Sequence, residues 1–420
     1  MSENKNEITD VVIIGGGAAG LSAGKITAKH GLSTVILERD SRMGGILNQC
    51  IHNGFGVHHF KEELTGPEYA ERVYKEALDA GCVMCKGTTV MDIAGEKLKR
   101  VVCCSSEYGV MEINARAVVL AMGSRERNRG NIAIAGARPA GVFTAGTAQR
   151  LMNINGFVPG NEAVIIGSGD IGLIMARRLS WAGVKVNAVI EIMPYAAGLP
   201  RNIAQCLDDF DIPLYLSCQT LRINGRDRVE SVDVAPLENG RVCLEKTFNI
   251  SCDTILMSVG LIPENELSQK AGARLNPLTG GPVVDSRMMT SAEGVFACGN
   301  VLHIHDLVDY VSSEAEMVAE KIRLFLGGDV KAPEIKTVPG GNIRYVIPGG
   351  FEPGTDSTFY MRPLAVMDKA RMNIHQDGRL IYDRPVKYVK PAEMLKVHLS
   401  PDFDDVLPFG GALEFSLKAE

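Results

Sequence analysis

A strand, a glycine-rich turn, a helix and an acidic strand end occur twice in this chain. In the first set, Val11-Val12-Ile13-Ile14 are apolar and mostly β-branched, which suits a buried strand. Gly15, Gly17 and Gly20 then give G-x-G-x-x-G. The pattern predicts a helix from Ala18 to Lys29, stopped by Gly31, and a strand from Thr34 to Leu37 that ends at Glu38, 18 residues past Gly20. In the second set, Ala163 to Ile166 lead into Gly167, Gly169 and Gly172. A helix from Ile171 to Trp181 follows, stopped by Gly183, and the next strand ends at Glu191, 19 residues past Gly172.

This spacing has a chemical reading. The first glycine permits a tight turn, the second lets backbone approach a pyrophosphate, and the third lets helix and strand pack closely. The pyrophosphate then meets unpaired N–H groups at the positive end of the helix. Glu38 and Glu191 would accept from ribose hydroxyls. The expected fold is α/β, with two Rossmann-like dinucleotide-binding domains. Glu191 also bears on cofactor choice. A carboxylate repels a 2′-phosphate, and Ile192-Met193-Pro194-Tyr195 offers no arginine clamp, so NAD(H) is favoured over NADP(H).

At 420 residues there is room for two or three domains. A net charge of −6 argues against nucleic acid as the main partner. No run of 18 apolar residues suggests a membrane span. The polar start, Met1 to Glu7, resembles no signal segment, and ten cysteines without one point to a reducing, cytoplasmic location.

Between and after the repeats, Pro67 to Ala80 reads as a helix, and Cys82 to Leu120 as short strands and turns running into Ala121-Met122-Gly123. Gly130 to Gly141 looks like a crossing between domains. Short strands from Pro213 to Met257 lead to Val259-Gly260. The block Gly294-Val295-Phe296-Ala297-Cys298-Gly299-Asn300 precedes a helix reaching about Phe325. Residues 332–420 read as a small β-rich domain, a candidate for docking a partner.

The two units, the Ala121-Met122-Gly123 strand end and the late Phe296-Ala297-Cys298-Gly299-Asn300 block together resemble the two-dinucleotide-domain flavoproteins, thioredoxin reductase and the pyridine nucleotide–disulfide oxidoreductases, over residues 8–328. The resemblance implies FAD in the first unit and a nicotinamide nucleotide in the second. It also implies a discontinuous FAD domain (1–140 and 266–331) with the NAD domain (141–265) inserted. Gly15, Gly17, Ala18, Ala19 and Gly20 would hold the FAD pyrophosphate, and Glu38 with Arg39 the adenosine ribose. Gly44 and Gly45 match the loop beside the flavin, and Val90 the position that meets adenine. Ala121 and Gly123 match a strand end at the cofactor. Gly299 and Asn300 occupy the family's Gly-Asp site for the ribityl and phosphate region, with Asn in place of Asp. Gly167, Gly169, Asp170, Ile171, Gly172, Glu191 and Gly260 would hold NAD(H).

A narrower likeness rests on Gly44-Gly45-Ile46-Leu47-Asn48-Gln49 and the run from Arg138 to Gln149. These are similar to the small FAD subunits of dye-linked proline dehydrogenase, octopine oxidase and hydrogen cyanide synthase. They are closer still to FAD/NAD oxidoreductases of bacterial glycerol-3-phosphate utilisation. Such a likeness implies a partner, either a second flavoprotein dehydrogenase subunit or a small redox protein, in a homo- or hetero-oligomer.

Cys50 lies 12 residues after Glu38, near where disulfide reductases and single-cysteine NADH oxidases or peroxidases place a redox thiol. The next cysteine is Cys82, so a vicinal dithiol is missing. Cys82-Val83-Met84-Cys85 sits on an expected strand, with its two sulfurs on opposite faces and no second C-x-x-C to complete a zinc site. Cys103, Cys104 and Cys298 read as packing residues. His52, His58, His59, His303, Asp306 and Asp309 are taken as structural. A helix start near Asp309 would face the reduced flavin in the family arrangement. No metal and no catalytic acid or base is assigned. The leading expectation is an FAD-dependent oxidoreductase that moves hydride between NAD(H) and flavin and exchanges electrons with a partner, in glycerol-3-phosphate or amino-acid oxidation. The alternatives are a thiol or peroxide reductase using Cys50, and a non-catalytic flavin-binding assembly subunit.

Overall fold

The computed structural model describes residues 8–329, 334–403, 405–406 and 410–420. The polar start and the expected 331/332 boundary fall outside them. The chain divides into two compact units. One holds residues up to 48, 53–124 and everything from 263 onward; the other holds Gln49–His52 and Arg125–Ile262.

The first unit is built on a seven-stranded sheet. Ile8–Ile14 lies in it between Thr34–Leu37 and Gly109–Leu120, parallel to both. Val11, Val12 and Ile13 are fully shielded from solvent. Burying each such aliphatic side chain contributes about 1.5–3 kcal/mol, so a continuous apolar run specifies a central strand. The helix Ala18–Lys29 and the strand Thr34–Leu37 have the bounds expected from the glycine pattern. The helix Gly66–Asp79 begins one residue before its expected start, because Thr65 and Glu68 form a reciprocal capping box there.

The expected short strands before Leu120 include one long one, Gly109–Leu120. Its first half pairs antiparallel with Lys99–Ser105, while Val118–Leu120 pair parallel with Val295–Ala297. A change of neighbour half-way along, not a turn, explains the shift in its burial pattern. The helix Val308–Leu326 buries Ala315, Val318, Ala319 and Ile322. From residue 335 the chain forms a five-stranded and a three-stranded sheet around Phe351, Phe359 and Phe415. This tail is seated on the rest of its own unit. Arg287 and Glu352 form a buried ion pair, and Gly349 N–H donates to the Val284 carbonyl at 3.0 Å.

The second unit holds a five-stranded parallel sheet in the order Val142–Thr144, Thr254–Met257, Glu162–Ile166, Lys185–Ile190, Leu214–Tyr215. The helix Asp170–Trp181 follows its glycine turn. A second sheet in this unit contains Cys218–Gly225 and Val229–Glu238. The unit begins at Arg125, ahead of the expected residue 141, because Ala135–Gly136 add a strand to Cys218–Gly225. It ends at Ile262, ahead of the expected residue 265.

Candidate functional site

In the first unit the carboxyl ends of four parallel strands lie level: Ile14 pairs with Leu37 and Leu120, and Leu120 with Ala297. The next residue of each strand therefore emerges at one edge. This brings Gly15, Glu38, Ala121 and the Cys298-Gly299-Asn300 turn together, although nearly 300 residues of chain separate the first from the last. Open α/β sheets bind ligands at such an edge.

The space around the three glycines differs from one to the next. A Cβ on Gly15 would lie 2.4 Å from the Ala121 carbonyl, and one on Gly20 would lie 1.9 Å from the Gly15 carbonyl. Both places are closed to a side chain. A Cβ on Gly17 would meet nothing within 4 Å, so the helix start is open to an incoming group. No side chain caps that end of the helix, and no acidic residue lies in its first turn. The cradle fits an FAD pyrophosphate, and Ala18 and Ala19 complete it with small side chains.

Glu38 is 6% exposed. It accepts the N–H of Gly16 at 2.7 Å and of Asp40 at 2.8 Å, one on each oxygen. A carboxylate has about four acceptor positions, which leaves two for ribose hydroxyls. Arg39 is exposed. Val90 sits in the strand Thr88–Ala94, which is tied to Glu38 through Thr88 N–H to the Glu38 carbonyl at 2.8 Å. Gly44 N–H donates to the Gly16 carbonyl at 2.7 Å, and a Cβ on Gly45 would stand 3.2 Å from the Gly17 Cα. Gly123 has φ +72° with open space where a side chain would point. A Cβ on Gly299 would press on the Ala19 side chain at 2.9 Å. Asn300 Oδ1 accepts His305 N–H at 3.0 Å, leaving the amide hydrogens for a ligand. Asp309 is buried at the start of its helix and accepts the N–H groups of Gly56, His58 and His59 at 2.7–3.2 Å. It is a clamp on that loop, a role that spacing alone did not suggest.

The second unit repeats the arrangement. A Cβ on Gly167 would lie 2.1 Å from the Ser258 carbonyl, and one on Gly169 would meet nothing nearer than 3.7 Å. One on Gly172 would lie 2.8 Å from the Gly167 carbonyl. Glu191 accepts Ser168 N–H and hydroxyl at 2.9 and 2.6 Å, and Met193 N–H at 2.9 Å. Asp170 accepts Leu199 N–H and the Asn202 amide at 2.8 and 2.7 Å, so it fixes the neighbouring loop. Ile171 is half-buried in the first turn of the helix, and Gly260 accepts Arg127 N–H at 2.9 Å. This cradle fits a second dinucleotide.

Cys50 belongs with the second unit, in the segment Gln49–His52. Its Sγ lies 3.7 Å from Gln149 Oε1, and burial pushes the thiol up to about 12. Thiolate chemistry at neutral pH needs the opposite shift. His52 is held down at about 4, by burial first and then by Arg177 and Arg201. Cys82 and Cys85 flank or end the edge strand Val83–Cys85, and burial raises both thiols. No disulfide occurs among the described residues.

Two sets of level-ended parallel strands, each with a glycine cradle and a buried acid, define a protein that binds two dinucleotides. The profile of the pyridine nucleotide-disulphide oxidoreductase family matches residues 9–320. The chain belongs to that family. It is an FAD-dependent oxidoreductase that uses NAD(P)H. Subunit HcnB of hydrogen cyanide synthase from Pseudomonas protegens is 24% identical over 74% of this chain and 68% of its own length. Thioredoxin reductase of Treponema pallidum is 27% identical over 70% of this chain and 88% of its own. The crystal structure of T. acidophilum thioredoxin reductase superposes with a TM-score of 0.62 at 25% identity, covering 75% of this chain and 97% of that one. Among the described residues no helix is long and apolar enough to cross a membrane.

Proposed function

We propose that the protein transfers hydride between NAD(H) and FAD and exchanges the electrons with a second flavoprotein subunit or a small redox protein. The single observation that carries this reading is the pairing of two open glycine cradles with a Cys50 thiol pushed up to about 12. Both nucleotides have a place, while the thiol that would hand electrons to a disulfide or peroxide is protonated and buried. The electrons then need another exit.

In this reading Gly15, Gly17, Ala18, Ala19, Gly20, Glu38, Arg39, Gly44, Gly45, Val90, Ala121, Gly123, Gly299 and Asn300 hold FAD. Gly167, Gly169, Asp170, Ile171, Gly172, Glu191 and Gly260 hold NAD(H). The flavin supplies the redox chemistry when bound. The chain's part is to orient both nucleotides with backbone N–H groups and to anchor each ribose on a carboxylate held by its own loop. Glu191 favours NAD(H), because a 2′-phosphate would meet a buried anion. A partner is supported by the likeness to HcnB, a subunit of hydrogen cyanide synthase. Oxidation of an amino acid or of glycerol 3-phosphate is the substrate class proposed for the pair. Ten cysteines without a disulfide among the described residues support a reducing, cytoplasmic location.

Anaerobic stopped-flow mixing of the flavin-loaded protein with NADH, and separately with NADPH, tests the reading. Fast bleaching of the flavin band by NADH and little by NADPH is expected. If neither nucleotide bleaches the flavin, the second cradle is idle and the reading fails in favour of an assembly subunit.

A further inference from the structure

Within the first unit, His303, His305 and Glu314 converge from two elements. The histidines come from the loop after Gly299–Val301, and Glu314 from the helix Val308–Leu326. All three side chains are at most 1% exposed. Their ligating atoms lie within 4.8 Å of one another. Both rings turn Nε2 to the same oxygen: His303 Nε2 lies 2.7 Å and His305 Nε2 3.2 Å from Glu314 Oε2. The two imidazoles lie side by side, tilted 54° to each other, with centroids 4.3 Å apart. Tyr360 closes the far side, with its ring 5.4 Å from each.

Hydrogen bonding alone leaves this group incomplete. His303 donates to Glu314, but its Nδ1 has no partner. His305 is close to the carboxylate yet off the hydrogen-bond direction, and neither of its ring nitrogens is bonded. An unpaired buried polar group costs about 1–3 kcal/mol, and such groups in native proteins usually mark a missing water or ion. A cation held by the two Nε2 atoms and Glu314 Oε2 would take up the unbonded His305 Nε2 and replace the His303–Glu314 hydrogen bond, the three side chains parting slightly to admit it. Two imidazoles and one carboxylate suit zinc and its first-row neighbours.

We propose that His303, His305 and Glu314 bind one divalent transition-metal ion, with zinc as the expected occupant. The fourth position falls to water. The other carboxylate oxygen, Glu314 Oε1, accepts Gly299 N–H at 2.6 Å. The ion therefore braces the turn that carries Gly299 and Asn300. Its role is structural, and it takes no part in electron transfer. This inference is independent of the proposed acceptor and direction of electron flow.

The test uses the full chain with its flavin, loaded with Zn²⁺ and dialysed against a mild chelator. Elemental analysis is expected to give about one zinc per chain, and zinc-edge X-ray absorption to show imidazole scattering with only nitrogen and oxygen ligands. The sulfur distance of about 2.3 Å is the discriminating signal, since the ten cysteines are the competing ligands. His305→Ala keeps the His303–Glu314 bond and is expected to lose the metal while retaining flavin absorbance. Three results would overturn the proposal: less than about a tenth of an equivalent in the wild-type chain after loading, a sulfur-only ligand shell, or undiminished zinc in folded His305→Ala. The first two readouts do not depend on the variant folding.

Discussion

The two nucleotide cradles are closer copies of each other than their glycines suggest, and their differences show what each unit is for. In both, the acid at the strand end accepts one N–H from inside the glycine turn and one from two residues further on: Gly16 and Asp40 for Glu38, Ser168 and Met193 for Glu191. In both, the loop after the acid folds back and donates to the carbonyl inside the turn. Gly44 does so to Gly16 at 2.7 Å, and Gly198 to Ser168 at 2.8 Å. The match extends to Gly141-Val142-Phe143 and Gly294-Val295-Phe296, which begin equivalent strands. Val142–Thr144 pairs with Thr254–Met257 as Val295–Ala297 pairs with Val118–Leu120. In the second unit this strand comes first in the chain, and in the first unit it comes last. The divergence follows at once. The second unit starts its helix directly, with Thr144 capping Thr147 N–H. The first inserts the loop bearing Asn300, His303, His305 and Asp306 before the helix at Val308.

The sharpest way to break the equivalence is at the third glycines. A Cβ on Gly20 would sit 1.9 Å from a carbonyl, against 2.8 Å at Gly172. Gly20→Ala is expected to destabilise the protein by about 3 kcal/mol or more and to release flavin, whereas Gly172→Ala should cost about 1–2 kcal/mol and retain it. Urea unfolding and flavin content after gel filtration measure both. Equal losses would mean that the first cradle relaxes more than its geometry suggests.

Next in size is Glu191→Gln. Removing the charge weakens hydrogen bonds to charged groups worth about 1.5–3 kcal/mol each. The NADH Kd should rise about tenfold, with a smaller change for NADPH, while flavin content stays constant. Calorimetric titration with each nucleotide reads this directly. Loss of flavin instead would show that the acids do not act unit by unit.

Cys50 gives a smaller and pH-resolved effect. A raised thiol pKa leaves the group protonated until the pH approaches about 12. Its alkylation rate should keep climbing through pH 10 with no plateau near the ordinary value, and Cys50→Ser should leave NADH-driven dye reduction unchanged. Mass-spectrometric alkylation mapping checks the first point. A plateau below pH 8, or a slow Ser variant, would restore the thiol mechanism.

The smallest expected effect is that of Asn300→Asp. Its Oδ1 already accepts His305 N–H, and a carboxylate does so equally well, so flavin content and melting temperature should change little. A large gain in flavin affinity would show that the amide is a poor substitute at this position.

Much of this architecture was legible because it depends on local rules. Buried strands announce themselves by continuous β-branched runs, and the bounds of the first helix by the glycine turn before it and Gly31 after it. The strand Gly109–Leu120 was not, because its pairing changes through contact with residues about 180 positions away. The repeat of Gly-Val-Phe was present in the sequence and went unused, since its place in the chain order is exchanged between the units. The Glu314 cluster was hidden for another reason: a histidine pair in a loop acquires meaning only when a distant helix turn brings a carboxylate to it. The tail read as a separate domain from composition, but ion pairs such as Arg287–Glu352 join it to the first unit.

The second unit is an insertion, and its two ends are tied together. Arg127 N–H meets the Gly260 carbonyl, while in the host Glu264 N–H meets the Gly123 carbonyl, each at about 3 Å. The chain ends of each unit are thus hydrogen-bonded within that unit. A short linker across residues 124 and 263 should therefore leave a host that still folds and holds flavin. The excised guest, with its own parallel sheet and glycine turn, has the parts of a free-standing nucleotide-binding protein.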